Sequence, residues 1–367
     1  MSDSPSEQPE MVDWDLAVST AKRLVRPGPE VSPARAREVV AELREGAQRS
    51  EGLVRSFTGL QAEKASAPIV VVDRDGWVQA NADGFRTVMR PLISKITEKR
   101  GTPSAAAAAV GSRITGVEAG ALLGYLSGKV LGQFDPFWAG DPRIVDGDPT
   151  ASTAGRLLLV APNIVHVERE LSVDPHDFRL WVCLHEETHR VQFTAVSWLR
   201  DHLHNEIGAL IEATDFDAGR LAAMARDGLQ QAGRFARGDQ DISLIDLFQT
   251  PAQREIIDRI TAAMSLLEGH ADVVMDGVGP EVIPTVGEIR TKFNQRRKGG
   301  GTLDQLLRRL LGFDAKMRQY RDGAVFVRGV VDKVGMDGFN RVWTSPNTLP
   351  TKAEIGDPAA WVRRVHG

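Results

Sequence analysis

The chain is poor in cysteine: Cys183 is the single one in 367 residues, so no internal disulfide can form and a secreted, disulfide-stapled scaffold is excluded. A reducing, cytoplasmic setting is the expectation. The sequence also lacks an excess of either charge. Its 45 basic and 49 acidic residues leave a net charge of -4, which offers no electrostatic footprint to nucleic acid or an anionic membrane. Neither partner is expected. Long apolar runs are missing as well. The nearest to one, residues 105–132, is interrupted by Arg113, Glu118 and Lys129, well short of the roughly 18 clean residues of a membrane span. It reads instead as two buried helices, with Gly116, Gly120, Gly124 and Gly128 recurring so that another helix backbone can approach closely. Residues Met1–Glu10 show neither the basic nor the apolar region of a signal peptide, and residues 1–11 read as a flexible tail. With no internal repeat and no low-complexity linker, residues 12–367 read as a single domain. Its 42% hydrophobic residues are enough to build a sizeable core.

Helical periodicity dominates what is there. The pattern predicts helices over Val12–Val25 and Ser32–Thr58, the second opened by Ser32 as cap and Pro33 in the first turn. The β-branched run Ile69–Val72, followed by Asp73, Asp75, Gly76 and then Trp77–Gln79, predicts a short β-hairpin. Gln133–Thr153 reads as loop, and Leu157–Val160 and Ile164–Val167 as short strands. Asp174-Pro175 opens a helix expected to reach about His202, with a further segment from Glu206. Thr250 and Gln253 form a capping box for a helix expected to end near Gly277 and Gly279. Arg296–Gly301 reads as a basic, glycine-rich loop, Thr302 with Gln305 as a cap for Leu303–Leu311, and Asp357-Pro358 as the start of a last short helix. The fold class expected is mainly α (α+β), with a small β element beside the helix discussed next.

That helix carries His185-Glu186-Glu187-Thr188-His189. Histidines four apart lie on one helical face, one turn above the other, so both imidazoles can reach one metal ion. Glu186 is rotated by about 100° from His185, which sets its carboxylate beside the metal, as a general base toward metal-bound water. Zinc there would acidify the water and polarise a scissile carbonyl while Glu186 shuttles the proton to the leaving amine. With eight histidines in the chain, chance placement of the whole pattern is on the order of one in a hundred. Two solvated histidines on an exposed helical face are the bland alternative. Cys183 reads as a small core residue.

A catalytic zinc needs a third protein ligand. The extension that would place glycine and histidine further along the same helix is absent, since positions 192 and 195 are Gln192 and Ala195. The leading candidate is Glu268 in Leu267-Glu268-Gly269-His270-Ala271-Asp272, with Asp272 on the same face and placed to accept the free ring N–H of a ligating histidine. His270, Glu206 and Glu212 are the alternatives. His202 and His204 read as exposed polar residues. Ile164–Val167 is the expected strand along which a peptide would align, and Tyr320 or Arg318 are candidate donors to a developing oxyanion.

The pairing of HExxH with a later ExxxD resembles the gluzincins, thermolysin-like peptidases in which the glutamate corresponding to Glu268 is a zinc ligand and the aspartate corresponding to Asp272 supports the ligands from outside. More widely, Leu184–His189, Leu266–Asp272, Gly120–Gly124, Arg308–Gly312 and Met317–Arg321 resemble an actinobacterial family of zincin-like metallopeptidases. Some of its members are labelled as associated with coenzyme F420 biosynthesis, a label to which no chemistry in these residues corresponds. The resemblance implies a multi-helix zincin-like fold, a Zn2+ cofactor, and a peptide or protein substrate. Two readings follow: a zinc metallopeptidase, or a catalytically silent zinc-binding regulatory or interaction protein.

Overall fold

A computed structural model describes residues 11–61, 67–100, 105–138, 155–213, 250–298 and 313–367. In chain order the elements are α1 (Trp14–Leu24), α2 (Pro33–Thr58), β1 (Ile69–Val72), α3 (Arg74–Arg100), α4 (Ala105–Ser127), β2 (Gly132–Asp135), β3 (Arg156–Val160), α5 (Ala161–Leu171), α6 (Pro175–Ala195), α7 (Leu199–Ala213), α8 (Pro251–Val282), α9 (Val286–Lys298) and α10 (Phe313–Phe339). Two 3-10 turns follow, Asn340–Trp343 and Pro346–Thr348, and then α11 (Lys352–Ile355) and α12 (Pro358–His366). The protein is mainly α with one small sheet, as expected.

The caps behave as the sequence predicts. Ser32 accepts from Arg35 N–H at the start of α2, Thr250 and Gln253 form a reciprocal capping box on α8, and Asp357 accepts from Ala360 N–H at the start of α12. Two strand expectations fail. The segment after Asp73 is the first turn of α3 rather than the return strand of a hairpin, because the Asp73 carboxylate accepts the Gly76 N–H at 2.7 Å as a helix N-cap. Ile164–Val167 is helical, inside α5, where Pro162 in the first turn and a buried Ile164, Val165 and Val167 suit a helix packed on the core. Conversely, Gly132–Asp135 is a strand rather than loop. Residues 105–127 make one helix, not two, and it is half-exposed: Ile114 and Val117 face solvent. Its glycines do serve close packing, since a Cβ on Gly120 would lie 2.5 Å from the Ala17 carbonyl oxygen of α1. The predicted helix to His202 is broken at Val196 into α6 and α7, while α8 continues past Gly279 to Val282. Arg296–Lys298 closes α9; Gly299–Gly301 and the Leu303–Leu311 segment lie outside the described residues.

The sheet has the order β1-β3-β2, with β1 parallel to β3 and β2 antiparallel to it, Gly132 opposite Leu159 and Asp135 opposite Arg156. Among the described residues, β2 is thus an edge strand. It is fixed from behind by α3: Trp77 Nε1–H donates to Gln133 Oε1 at 3.0 Å, and Gln133 Nε2–H donates to Asn81 Oδ1 at 3.1 Å.

Helix α6 is buried on nearly every side, its Leu180–Leu184 run lying against α2, α5 and the sheet. A buried helix must neutralise its charges, and α6 does so twice. Arg179 donates to Glu168 of α5 at 2.9 and 2.5 Å and pairs with Glu42 of α2; Arg190 pairs with Glu187 at 2.6 Å and with Glu51 of α2 at 2.7 Å. These pairs fix the axial position of the helix between its neighbours. Helix α8 packs across α6 and against α10, where two glycines meet: a Cβ on Gly269 would stand 2.1 Å from Gly323 backbone. Helix α10 kinks at Gly335, whose φ of 71° favours glycine, and its last turn brings Phe339 to the ring of His270. No helix of the described residues is long and apolar enough to cross a membrane.

Candidate metal centre

Where α6 crosses α8, three side chains predicted as ligands come together. His185 Nε2 and His189 Nε2 each lie 3.6 Å from the same Glu268 oxygen, Oε2, and one donor atom from each of the three residues falls within 4.8 Å of the others. The imidazole planes are nearly perpendicular, with centroids 4.9 Å apart. Zinc–nitrogen and zinc–oxygen bonds of about 2.0–2.2 Å place two tetrahedral ligands roughly 3.3–3.6 Å apart. The donor set and the two histidine–glutamate distances therefore fit zinc, and no fourth candidate ligand joins the group among the described residues.

The electrostatics agree. Burial alone would lower the pKa of His189, yet the Glu268 carboxylate facing its ring outweighs that and pushes it up to about 9. The carboxylate thus stabilises a positive charge at the place where a cation would sit. Glu186, nearly buried, does not point with the two histidines but against β2: a Cβ on Gly132 would lie 2.5 Å from its Cγ and 2.9 Å from its Oε1. The base predicted from helical spacing is thereby set between the cluster and the edge strand.

The outer partners differ from those expected. Asp272 touches neither His185 nor His189. Its Oδ1 accepts from Arg290 of α9 at 2.9 Å and its Oδ2 from Arg328 of α10 at 3.2 Å, and the same two guanidiniums bind Asp276. Two arginines from other helices, invisible to a spacing rule within α8, claim the carboxylate. The ring nitrogens it was expected to serve are taken from the core side: His185 Nδ1 lies 3.2 Å from Met275 Sδ, and His189 Nδ1 lies 3.0 Å from Gln192 Oε1. Gln192 sits three residues after His189, a spacing that brings helical side chains together, and that was the available signal.

The alternative ligands are placed elsewhere. His270 is wholly buried, stacked on Phe339 with centroids 5.4 Å apart and edge-on to Trp343, and its Nδ1 meets Gln192 Nε2 at 2.9 Å. Glu206 of α7 pairs with Arg259 at 2.9 Å, and Glu212, also on α7, is not part of the cluster. His202 packs on Trp198 and His204 on Phe137. Cys183 is a buried core thiol. The strand beside the cluster is β2, not Ile164–Val167. The side chains of Tyr320 and Arg318 lie outside the described residues.

Burial pushes the His270 pKa down to about 3, with the charge of His189 adding to the effect. In the unfolded chain the ring titrates near 6.5, so the contribution of neutral His270 to stability is full above that pH and is lost as pH falls toward the folded value. Unfolding free energy should drop by on the order of 2 kcal/mol from this group between pH 7 and pH 5. Denaturant melts of the parent and of His270→Gln over that range check it: the variant should show a shallower decline, and parallel curves would assign the decline to other groups.

The family described as zincin-like metallopeptidase matches residues 12–362, nearly the whole chain. The crystal structure of a candidate hydrolase with a novel fold from Chloroflexus aurantiacus is similar throughout, with a TM-score of 0.68 and 31% sequence identity over 97% of this chain and 99% of that one. No curated protein matches the sequence.

Proposed function

Given that the chain belongs to the zincin-like metallopeptidase family, we propose that it hydrolyses peptide bonds at a zinc ion held by His185, His189 and Glu268, with Glu186 as the general base. The observation that carries this reading is the meeting of both Nε2 atoms on one Glu268 oxygen at 3.6 Å, with the neighbouring glutamate turned to the edge strand. Zinc bound there would supply Lewis acidity, polarising the scissile carbonyl and acidifying water.

The rest of the chemistry belongs to the chain. Among the described residues no strand pairs with the outward side of β2, so its backbone N–H and C=O groups would serve an extended peptide, which would add to the sheet as a further strand. This aligns the peptide along the strand whose Gly132 touches Glu186. Glu186 then takes a proton from the attacking water and delivers it to the amide nitrogen as the C–N bond breaks, so that an amine leaves and a carboxylic acid forms. Its position is set by close contact rather than by a flexible hinge. A structural zinc site would be closed by a fourth protein ligand and would leave Glu186 without a task.

Gly132 becomes testable on this reading. Gly132→Ala should displace Glu186 by forcing a methyl group into its side chain, and a misplacement of about 1 Å can cost roughly 100-fold in rate. Steady-state kinetics on any peptide cleaved by the parent should show the loss in kcat, with zinc content unchanged; parental kcat in the variant would separate β2 from the base. The proposal as a whole is tested by incubating the zinc-loaded protein with a diverse peptide library and reading products by mass spectrometry. Zinc-dependent cleavage is expected. Intact peptides together with stoichiometric zinc would favour the silent regulatory alternative.

A further inference from the structure

The amide of Gln192 has three neighbours, and their chemistry determines which way it faces. Leu267 carbonyl oxygen can only accept, and it lies 3.0 Å from Gln192 Nε2, so the amide nitrogen must be on that side. Gln192 Oε1 then faces His189 Nδ1 at 3.0 Å, and because an amide oxygen can only accept, Nδ1 must carry the proton. The second hydrogen of Nε2 points to His270 Nδ1 at 2.9 Å, which must accept, leaving the His270 proton on Nε2. That Nε2 is buried and has no hydrogen-bond partner among the described residues. Gln192 itself is fully buried. Leu267 directly precedes Glu268, so one side chain ties a histidine of the cluster to the backbone that carries its carboxylate.

We propose that Gln192 is a positioning residue for the metal centre: anchored by Leu267 and His270, its amide oxygen keeps a proton on His189 Nδ1, so that Nε2, which faces Glu268, is the nitrogen that exchanges its proton for the metal. The inference rests on the zinc reading of the cluster. The carbonyl of Leu267 orients Gln192, Gln192 orients His189, and His270 supplies a second acceptor that stops the amide from turning over. An outer partner of this kind is worth about 10–100-fold in metal affinity.

The test uses the full-length chain and zinc alone, with affinity read by competition against a chromophoric chelator and folding followed by thermal melting. Gln192→Leu should bind zinc about 10–100-fold more weakly, whereas Gln192→Glu, which still accepts from Nδ1–H and, protonated on its other oxygen in this buried position, still donates to the Leu267 carbonyl, should lose distinctly less. A Leu variant as tight as the parent overturns the inference and leaves the zinc reading standing. Equal weakening of both variants also overturns it, pointing to a staple between α6 and α8 instead. A parent that takes up no zinc removes both. Should the variants fail to fold, long-range proton–nitrogen spectra of the 15N-histidine-labelled parent decide: His189 protonated at Nδ1 with zinc bound and His270 protonated at Nε2 support it, and either opposite tautomer overturns it.

Discussion

Glu186→Gln is expected to abolish peptide hydrolysis while zinc stays bound. The amide is nearly isosteric with the carboxylate, so it fits the same space against Gly132, where a Cβ would already be within 3 Å of the side chain. What it loses is the ability to accept a proton from water and pass it to the departing amine. General base catalysis of this kind is worth about 100- to 10,000-fold, and turnover should fall by at least that factor. Because Glu186 lies outside the His185–His189–Glu268 group, zinc stoichiometry should not change. Hydrolysis of the parent's peptides at undiminished kcat would remove Glu186 from the mechanism; joint loss of zinc and activity would make it a ligand.

Glu268→Ala should have the second large effect, on metal rather than on turnover. This carboxylate is shared by both imidazoles, and it is what holds a positive charge at His189. Without it two neutral nitrogens remain, and zinc affinity should fall by more than the roughly 10–100-fold typical of an outer partner. Asp272→Ala is the informative contrast. Its carboxylate binds Arg290 and Arg328 at a partly exposed surface, where ion pairs contribute about 0–1 kcal/mol, so that variant should keep parental zinc affinity and lose a little stability. Calorimetric titration with zinc compares the two. Reversal of the order, with Asp272→Ala the weaker binder, would restore the aspartate to the metal centre.

The contrast between Glu268 and Asp272 shows where sequence reading ends. The spacing of His185, Glu186 and His189 within one helix is a local property, set by 3.6 residues per turn, and the structure keeps it. Glu268 was legible because its own segment carries a recognisable pattern, though it stands 79 positions after His189 in the chain. The partners of those ligands were not legible, because they depend on how helices cross. Arg290 and Arg328 reach Asp272 from α9 and α10, and Met275 reaches His185 from α8, through contacts that no periodicity within a segment encodes. Gln192 is the instructive case. It stood in view as the residue that breaks a known histidine pattern, when the i, i+3 relation to His189 was itself the clue.

The strands illustrate a second limit. The run Ile164–Val167 is short and, apart from His166, apolar and β-branched, and periodicity cannot separate a buried strand from one turn of a buried helix. What decides is the tertiary setting: Asn163, just before it, donates to the carbonyls of Ser127 and Val130 at 2.6 Å and accepts from Arg74 at 2.6 Å, which fixes the start of α5. Gly132-Gln133-Phe134-Asp135 carries little strand propensity of its own. It becomes one because β3 supplies a ladder and Trp77 and Asn81 grip Gln133. The edge that a peptide would meet is therefore made by its neighbours.

The convergence of two imidazoles and one carboxylate on a single ion is best tested by diffraction from crystals of the zinc-loaded protein at wavelengths on either side of the zinc absorption edge. One anomalous peak is expected, about 2.0–2.2 Å from His185 Nε2, His189 Nε2 and a Glu268 oxygen, with no fourth protein ligand. A map with no peak between these three side chains, or with the ion held by other residues, would contradict the metal centre and the peptidase reading built on it.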